Sequence, residues 1–82
     1  MDLVELTEEI VKSLVTNPDG VSVREFPSED ENTMLIQVMV EEDDIGRVIG
    51  REGRVANAIR TLVQASSALH ENKYVKIDID KF

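Results

Sequence analysis

The sequence predicts a small α+β domain of two layers, with helices on one face of a three-stranded mixed sheet. Its 82 residues are enough for one hydrophobic core and leave no room for a second. Helix-type and strand-type apolar spacings follow one another in the order α-β-β-α-α-β. The last two strands enclose a pair of helices, and a crossover of that kind makes them parallel. We therefore expect one domain spanning residues 1–82.

The first element is a helix, predicted over residues 2–16. Its apolar residues recur at spacings of three and four along the chain: Leu3, Leu6, Ile10 and Leu14. Asp2 can cap the helix, and Glu5 three residues later completes a pattern like a capping box. The helix should end before Pro18, because the residue before a proline disfavours helical geometry.

Three segments have strand patterns. Residues 21–26 form a short strand closed by a proline, and residues 74–80 alternate strictly between apolar and polar side chains. Residues 33–40 are almost continuously apolar, which predicts a central strand that is partly covered on both sides. On its second face, Leu35 and Met39 are either ordinary exposed apolar residues or part of a partner surface.

Two helices lie between the second and third strands. The shorter begins near Asp43 and ends at Gly50, and we interpret the acidic run Glu41–Asp44 as its solvated start, where carboxylates favour the helix dipole. The longer runs from Arg54 to Leu69. Six of its residues form the stripe that we predict to face the core: Val55, Ile59, Leu62, Val63, Ser66 and Leu69.

Composition excludes several classes of function. The chain has no cysteine and a single histidine, so it has neither a thiolate nucleophile nor a histidine-based metal cluster. No nucleophile–base pair or suitably spaced carboxylate pair is visible, which predicts a non-enzymatic protein without cofactor, metal or small-molecule substrate. The acidic start and the lack of a long apolar run predict a protein without a signal peptide or a membrane contact. The absence of cysteine favours a reducing, cytoplasmic setting.

The charge is distributed unevenly along the chain. The formal net charge is −8, which by itself argues against nucleic acid as a partner. Residues 1–44, however, carry a net charge of −11, while residues 45–64 carry +3 and residues 65–82 are neutral. The basic segment contains four arginines: Arg47, Arg51, Arg54 and Arg60. This pattern indicates local, modest phosphate binding.

The basic segment surrounds a glycine-bounded loop, Gly50–Gly53. Two glycines spaced in this way permit positive φ angles and let a ligand approach the backbone closely. The next helix begins at the loop, so its free N–H groups and its positive dipole end face it. Arg51 and Arg54 add positive charge. Together these features predict a site for a sugar-phosphate backbone.

The segment Val48–Ile59 reads VIGREGRVANAI and resembles the helix–GxxG–helix core of KH domains. The core would span about residues 43–69, and the whole chain is similar to one KH unit of type II, in which an extra helix and strand precede it. Length, acidic first helix and loop are similar to the small stand-alone bacterial KH proteins of the KhpA (formerly YlqC) family.

The resemblance implies that the loop clamps about four nucleotides of single-stranded RNA. Ile49 would line an apolar groove under the bases, and arginines would neutralise phosphates. The predicted RNA-binding residues are Ile49, Gly50, Arg51, Glu52, Gly53, Arg54 and Arg47. Glu52 places a negative charge inside the clamp, and Ala56 stands where the family has a bulky aliphatic residue. We therefore expect weak affinity and low sequence specificity.

The resemblance also implies partners and a cellular role. It implies a homodimer, pairing with a larger KH-containing protein, and work as a post-transcriptional regulator or RNA chaperone linked to cell division and envelope growth. An alternative is a dimerisation module with little RNA affinity of its own, which the net charge of −8 and Glu52 favour. Arg60 lies on the opposite flank of its helix from Arg54, so we expect a salt bridge or a partner contact there.

Overall fold

The computed structural model describes residues 2–82 and confirms the predicted order of elements. The elements follow one another in the order α1 (Leu3–Leu14), β1 (Ser22–Phe26), β2 (Thr33–Val40), α2 (Ile45–Ile49), α3 (Arg54–His70) and β3 (Tyr74–Lys81). Single turns of 3-10 helix lie at Pro18–Gly20, Glu42–Asp44 and Arg51–Gly53. Within residues 2–82, none of the helices combines the length and apolar content needed to cross a bilayer.

The sheet has the strand order β1-β2-β3, so β2 is central, as predicted. β1 pairs antiparallel with β2, placing Val23 opposite Val38. β2 pairs parallel with β3, placing Val38 opposite Ile79. The parallel pair confirms the expected crossover through two helices, and it leaves one edge of β3 without a neighbouring strand.

The core lies between the sheet and the helices. Alternate residues of β2 are buried, namely Met34, Ile36, Val38 and Val40, as the alternation predicts. Buried residues of the helices complete the cluster: Leu3, Val11, Val48, Ile59 and Val63. On the opposite face of β2, Leu35 and Met39 are half-buried.

The first helix begins as predicted and ends earlier. The Asp2 carboxylate accepts a hydrogen bond from the Glu5 N–H at 2.8 Å, which caps the helix. The predicted end at residue 16 is wrong, because Val15 is already extended. The next two residues, Thr16 and Asn17, turn their N–H groups toward Asp44 instead of continuing the helix.

The predicted core stripe of α3 is wrong for both of its leucines. Leu62 is 57% exposed and Leu69 is 80% exposed. The buried face consists instead of Ala56, Ile59, Val63 and Ser67. The small residues at both ends of this face let the helix lie close to the sheet, whereas the leucines project from the outer side. Because α3 is apolar on two sides, its periodicity alone does not identify the buried one.

The acidic run before α2 is solvated except at its last residue. Asp44 is only 1% exposed, so the expected solvated position is wrong there. Its carboxylate accepts hydrogen bonds from the Thr16 N–H at 2.9 Å, the Thr16 hydroxyl at 2.8 Å and the Asn17 N–H at 3.1 Å. These bonds tie the end of α1 to the start of α2.

The same bonds change the acidity of Asp44. Foremost among the causes, the hydrogen bond from the Thr16 backbone N–H lowers the pKa of this carboxyl below its ordinary value of 3.8. Burial opposes the shift, while the Thr16 hydroxyl, the Asn17 N–H and the nearby Arg47 guanidinium support it. The carboxylate is therefore held in its charged form at neutral pH.

Candidate nucleic-acid interface

The loop between α2 and α3 is built on two glycines in the left-handed region. Gly50 has φ 76° and Gly53 has φ 77°. A Cβ at Gly50 would lie 2.4 Å from Val55 Cγ2 and 2.9 Å from the Val55 backbone nitrogen, so no other residue fits there. At Gly53 the nearest atom to such a Cβ is Asn57 Nδ2 at 3.9 Å, so only the backbone conformation favours glycine.

The loop exposes two backbone donors. The Gly53 N–H donates to the Gly50 carbonyl at 3.2 Å, and the Arg54 N–H donates to the Arg51 carbonyl. By contrast, the N–H groups of Arg51 and Glu52 have no acceptor anywhere in residues 2–82. Glu52 itself has φ 57°, so the chain turns tightly around these donors. Free N–H groups at the positive end of α3 are suited to binding an anion.

The charged side chains of the loop point into solvent. Arg51 is exposed and forms no ion pair within the described residues. Arg54 Nη2 lies 3.7 Å from Glu52 Oε2, and the two side chains are 77% and 74% exposed. Exposed pairs of this kind contribute only about 0–1 kcal/mol, so a phosphate can replace Glu52 as the partner of Arg54.

The other two predicted RNA-binding residues belong to α2. Ile49 is its last residue and is half-buried. Arg47 places its Nε 3.4 Å from the buried Asp44 Oδ1, with about half of its side chain exposed. The sequence did not predict this contact, which anchors Arg47 to the start of its own helix. Residues 2–82 contain no cluster of acidic and histidine side chains able to hold a metal ion.

A groove between α3 and the free edge of β3 is a feature that the sequence analysis missed. It has a volume of about 770 Å³, which is within the range of ligand pockets. Its walls are formed by Arg60, Thr61, Gln64, Ala65 and Ala68 of α3 and by residues 74–78 of β3. The groove runs along α3 away from the glycine loop, which precedes the first residue of the same helix.

Two side chains of α3 bond directly to the β3 edge. Gln64 donates to the Lys73 carbonyl at 2.9 Å and accepts from the Val75 N–H at 2.8 Å. Arg60 Nε donates to the Ile77 carbonyl at 3.2 Å, and its Nη1 donates to Asn57 Oδ1 at 3.3 Å. The expected salt bridge of Arg60 is therefore absent from residues 2–82. The two long polar side chains four residues apart, Arg60 and Gln64, are the signal that could have revealed this role.

The outer face of α3 carries an exposed stripe of small and apolar residues. It consists of Ala58, Leu62, Ala65 and Leu69, which lie along one line of the helix. Leu62 and Leu69 are two of the six residues that the sequence predicts to face the core. We refer to these four residues as the outer stripe.

Comparison with known proteins gives matches that cover most of this chain. A family model described as "KhpA/KhpB, KH domain" matches residues 4–79. The protein named RNA-binding protein KhpA from Caldanaerobacter subterraneus is 47% identical over 75 residues, which cover 92% of this chain and 96% of that protein. The protein of the same name from Clostridium perfringens is 45% identical over the same lengths.

Solved structures share the fold at low sequence identity. A variant of Era from Aquifex aeolicus, bound to GDP·AlF4⁻, superposes with a TM-score of 0.72 at 18% identity. The match covers 98% of this chain and 30% of that one. A structure of Era in complex with MgGDPNP and nucleotides 1506–1542 of 16S ribosomal RNA gives a TM-score of 0.68, also at 18% identity, and covers 96% of this chain and 29% of that one. These likenesses concern the fold.

Proposed function

This chain belongs to the KhpA/KhpB family of KH domains, and from that premise we propose that it binds single-stranded RNA at the Gly50–Gly53 loop. The family is one of RNA-binding proteins, and it is not a family of enzymes. The observation that carries the proposal is the pair of free N–H groups of Arg51 and Glu52 at the start of α3.

The binding mode follows from this geometry. Phosphate oxygens accept from the two free N–H groups, and the absence of a Cβ at Gly53 lets the sugar-phosphate backbone approach. Arg51 and Arg54 supply positive charge, which Glu52 partly offsets. Contacts to the RNA backbone carry no sequence information, so the loop itself binds RNA with low specificity. Because Glu52 offsets part of the positive charge, the binding is also weak.

The decisive variant is Gly53→Asp. It adds a carboxylate where the phosphate binds, and the site has space for the side chain, whereas Gly50→Asp would collide with Val55 and test folding instead. We expect RNA affinity, measured by fluorescence anisotropy at low salt, to fall by at least about 10-fold. The matched control is Arg24→Gln, which makes the same change in net charge on exposed β1.

Folding of both variants is checked by thermal melting followed by circular dichroism. A folded Gly53→Asp protein that binds RNA as tightly as the wild type would contradict RNA binding at the Gly50–Gly53 loop. The control should bind within about 2-fold of the wild type, because a single exposed charge far from the site contributes little.

We further infer that the chain forms a homodimer through the outer stripe. Its leucines alternate with alanines, so two copies related by a two-fold axis can pack α3 against α3. Two weak RNA sites held together gain avidity. Sedimentation of Leu62→Glu tests this, with Glu71→Gln at the exposed end of α3 as the control. The first variant should be a monomer and the second a dimer.

The outer stripe is also suited to pairing with a larger KH-containing protein, which would then compete with homodimer formation.

We place the protein in the cytoplasm as a post-transcriptional regulator or RNA chaperone linked to cell division and envelope growth. Sequencing of RNA crosslinked to it in cells, with identification of co-purified proteins, tests this role. RNA recovery no greater than from a Gly53→Asp strain would contradict it.

The competing function is a dimerisation module with little RNA affinity. The net charge of −8 and the carboxylate of Glu52 in the loop favour it. A salt titration separates the two functions, since phosphate contacts make affinity fall as salt rises. A tight dimer that binds no RNA even at low salt would establish the competing function.

A further inference from the structure

The face of the sheet opposite the helices has no cover within residues 2–82. The strands bury alternate side chains, such as Ile36 and Ile77, against the helices, so the intervening side chains point away from the core. From the sequence, Leu35 and Met39 are either ordinary exposed residues or part of a partner surface. We refer to this side of the sheet as the open face, and its apolar residues are Phe26, Leu35, Met39 and Tyr74.

The aromatic residues of the chain are all at its surface. There are three of them, and Phe26 is 42%, Tyr74 62% and Phe82 67% exposed. Phe26 and Tyr74 lie at the same end of the open face, where β1 ends and β3 begins. Isolated exposed apolar residues are ordinary, whereas exposed aromatic residues grouped with other apolar side chains are typical of interaction surfaces.

The open face also contains a depression of about 380 Å³. This volume is at the lower end of the range for ligand pockets, so the depression can accept a side chain of a partner. Its lining comes from all three strands and combines apolar with charged residues: Phe26, Leu35, Ile36, Gln37, Lys76 and Asp78.

The charges on and around the open face indicate the chemistry of the partner. Asp78 and Lys76 form no hydrogen bond or ion pair within residues 2–82, and Asp80 accepts only from the Lys81 N–H. Including the loop between β1 and β2, the acidic residues on this side outnumber the basic ones: Glu29, Asp30, Glu31, Asp78 and Asp80 against Arg24 and Lys76. A basic partner is therefore attracted, and the net charge of −8 strengthens the attraction.

The same charges disfavour two other occupants. RNA is a polyanion, so the acidic residues repel it. A second copy of this chain would bring two acidic faces together. The open face is also small for a dimer, because residues 33–39 and three strands give it about 20 Å of length and about 14 Å of width. A stable interface needs about 800 Å² from each partner.

These dimensions fit one α-helix. An extended segment would find no free backbone groups on the open face, since the central strand pairs on both of its sides. A helix satisfies its own backbone groups, and its diameter of about 10–12 Å covers most of the width. At 1.5 Å per residue, about 13 helical residues span the length of the face.

We propose that the open face binds a basic amphipathic helix of a partner protein, which inserts an apolar side chain beside Phe26 and Leu35. The helix adds a third layer to the fold. The proposal goes beyond RNA binding, because the Gly50–Gly53 loop belongs to the helix layer on the other side of the sheet. The chain can therefore hold RNA and a basic partner at the same time.

The probe that tests the proposal is a 14-residue peptide, blocked at both ends, with leucines at spacings of three and four and lysines at the other positions. A matched peptide has glutamate in place of lysine. NMR spectra of the ¹⁵N-labelled wild-type protein should show shifts at residues 22–26, 33–39 and 74–80 on addition of the lysine peptide. The glutamate peptide should bind at least about 10-fold more weakly. Shifts confined to the outer stripe or to α1, or equal affinity for the two peptides, would overturn the proposal.

Two variants test the apolar and the charged part of the open face. Leu35→Gln should weaken binding of the lysine peptide by about 5-fold, and Asp78→Lys by at least about 10-fold. Glu9→Lys makes the same charge change as Asp78→Lys on the exposed side of α1, and it should bind within about 2-fold of the wild type. Circular dichroism checks folding, and the exposed position of Asp78 keeps the test valid even if Leu35→Gln unfolds. Equal losses for Asp78→Lys and Glu9→Lys would overturn the proposal, since net charge alone would then determine binding.

The same spectra test the two other occupants. Shifts of the open-face residues with a uridine octamer, but not with the lysine peptide, would identify RNA as the ligand of this face. Shifts of these residues that depend on protein concentration alone would identify a second copy. Either result would overturn the proposal.

Discussion

A carboxylate and an arginine lie together at each end of α2. The pair at the start stabilises the fold, whereas the pair after the other end is available for binding. At the start, the buried Asp44 accepts three hydrogen bonds and contacts Arg47. At the other end, Glu52 and Arg54 form an exposed pair at 3.7 Å with no further partner. The first pair is part of the folded structure, whereas in the second a phosphate can replace Glu52 as the partner of Arg54.

Burial explains the difference. A carboxylate removed from water must have its lone pairs satisfied, so Asp44 is surrounded by donors that other residues cannot replace. An exposed carboxylate has water as an alternative partner, and its ion pair contributes little to stability. Changes at Asp44 should therefore affect folding, and changes at Glu52 should affect binding.

The largest effect is expected for Asp44→Asn. An asparagine keeps one acceptor oxygen and places an NH₂ group against donors, so at least one of the bonds to Thr16 and Asn17 is lost. We expect the melting temperature to fall by roughly 10 °C. The matched control is Asp43→Asn on the exposed neighbour, which should melt within about 2 °C of the wild type. Equal melting of the two variants would contradict the structural role.

The same carboxylate predicts a loss of stability in acid. Its pKa in the folded protein is lower than its ordinary value of 3.8, so its contribution is fully present above that value. The contribution is lost as the pH falls through the lower pKa of the folded state. Melting curves of the wild type and Asp44→Asn between about pH 5 and 2 should therefore converge at the acid end. If the difference in melting temperature stayed constant down to the acid end, another group would be responsible for the loss of stability in acid.

The sequence predicts the features that depend on neighbouring residues and misses those that depend on contacts between distant parts of the chain. The strands, the central place of β2 and the glycine loop follow from local patterns, and the structure confirms those elements. The burial of Asp44 does not, because its partner Thr16 lies 28 residues earlier in the chain. The outward position of Leu62 was also missed, since both sides of α3 are apolar and only packing against the sheet chooses between them.

The sequence did not predict the groove at the free edge of β3, for a similar reason. Arg60 and Gln64 bond to β3 only because α3 lies beside the free edge of that strand. Sequence periodicity identifies a strand, but it does not identify which edge of that strand remains free. The loop residues of the candidate site could be predicted because they are contiguous, whereas the groove residues come from two elements.

A smaller effect, on binding alone, is expected for Arg51→Gln. Arg51 is exposed and unpaired within the described residues, so its loss removes a phosphate contact without disturbing packing. Affinity for single-stranded RNA should fall by about 3- to 5-fold, and the slope of log affinity against log salt should decrease by about one contact. Arg24→Gln makes the same chemical change on β1. An equal loss in both variants would mean that net charge, not the loop, determines binding.

The smallest effect, and the only gain, is expected for Glu52→Gln. Removing the carboxylate frees Arg54 from its competing partner and takes a negative charge away from the bound phosphate. RNA affinity should rise by about 2- to 3-fold at low salt, and the gain should disappear as salt screens the exposed charges. The melting temperature should stay unchanged, in contrast to Asp44→Asn. A stability loss without a gain in affinity would show that Glu52 belongs to the fold after all, and the contrast between the two ends of α2 would fail.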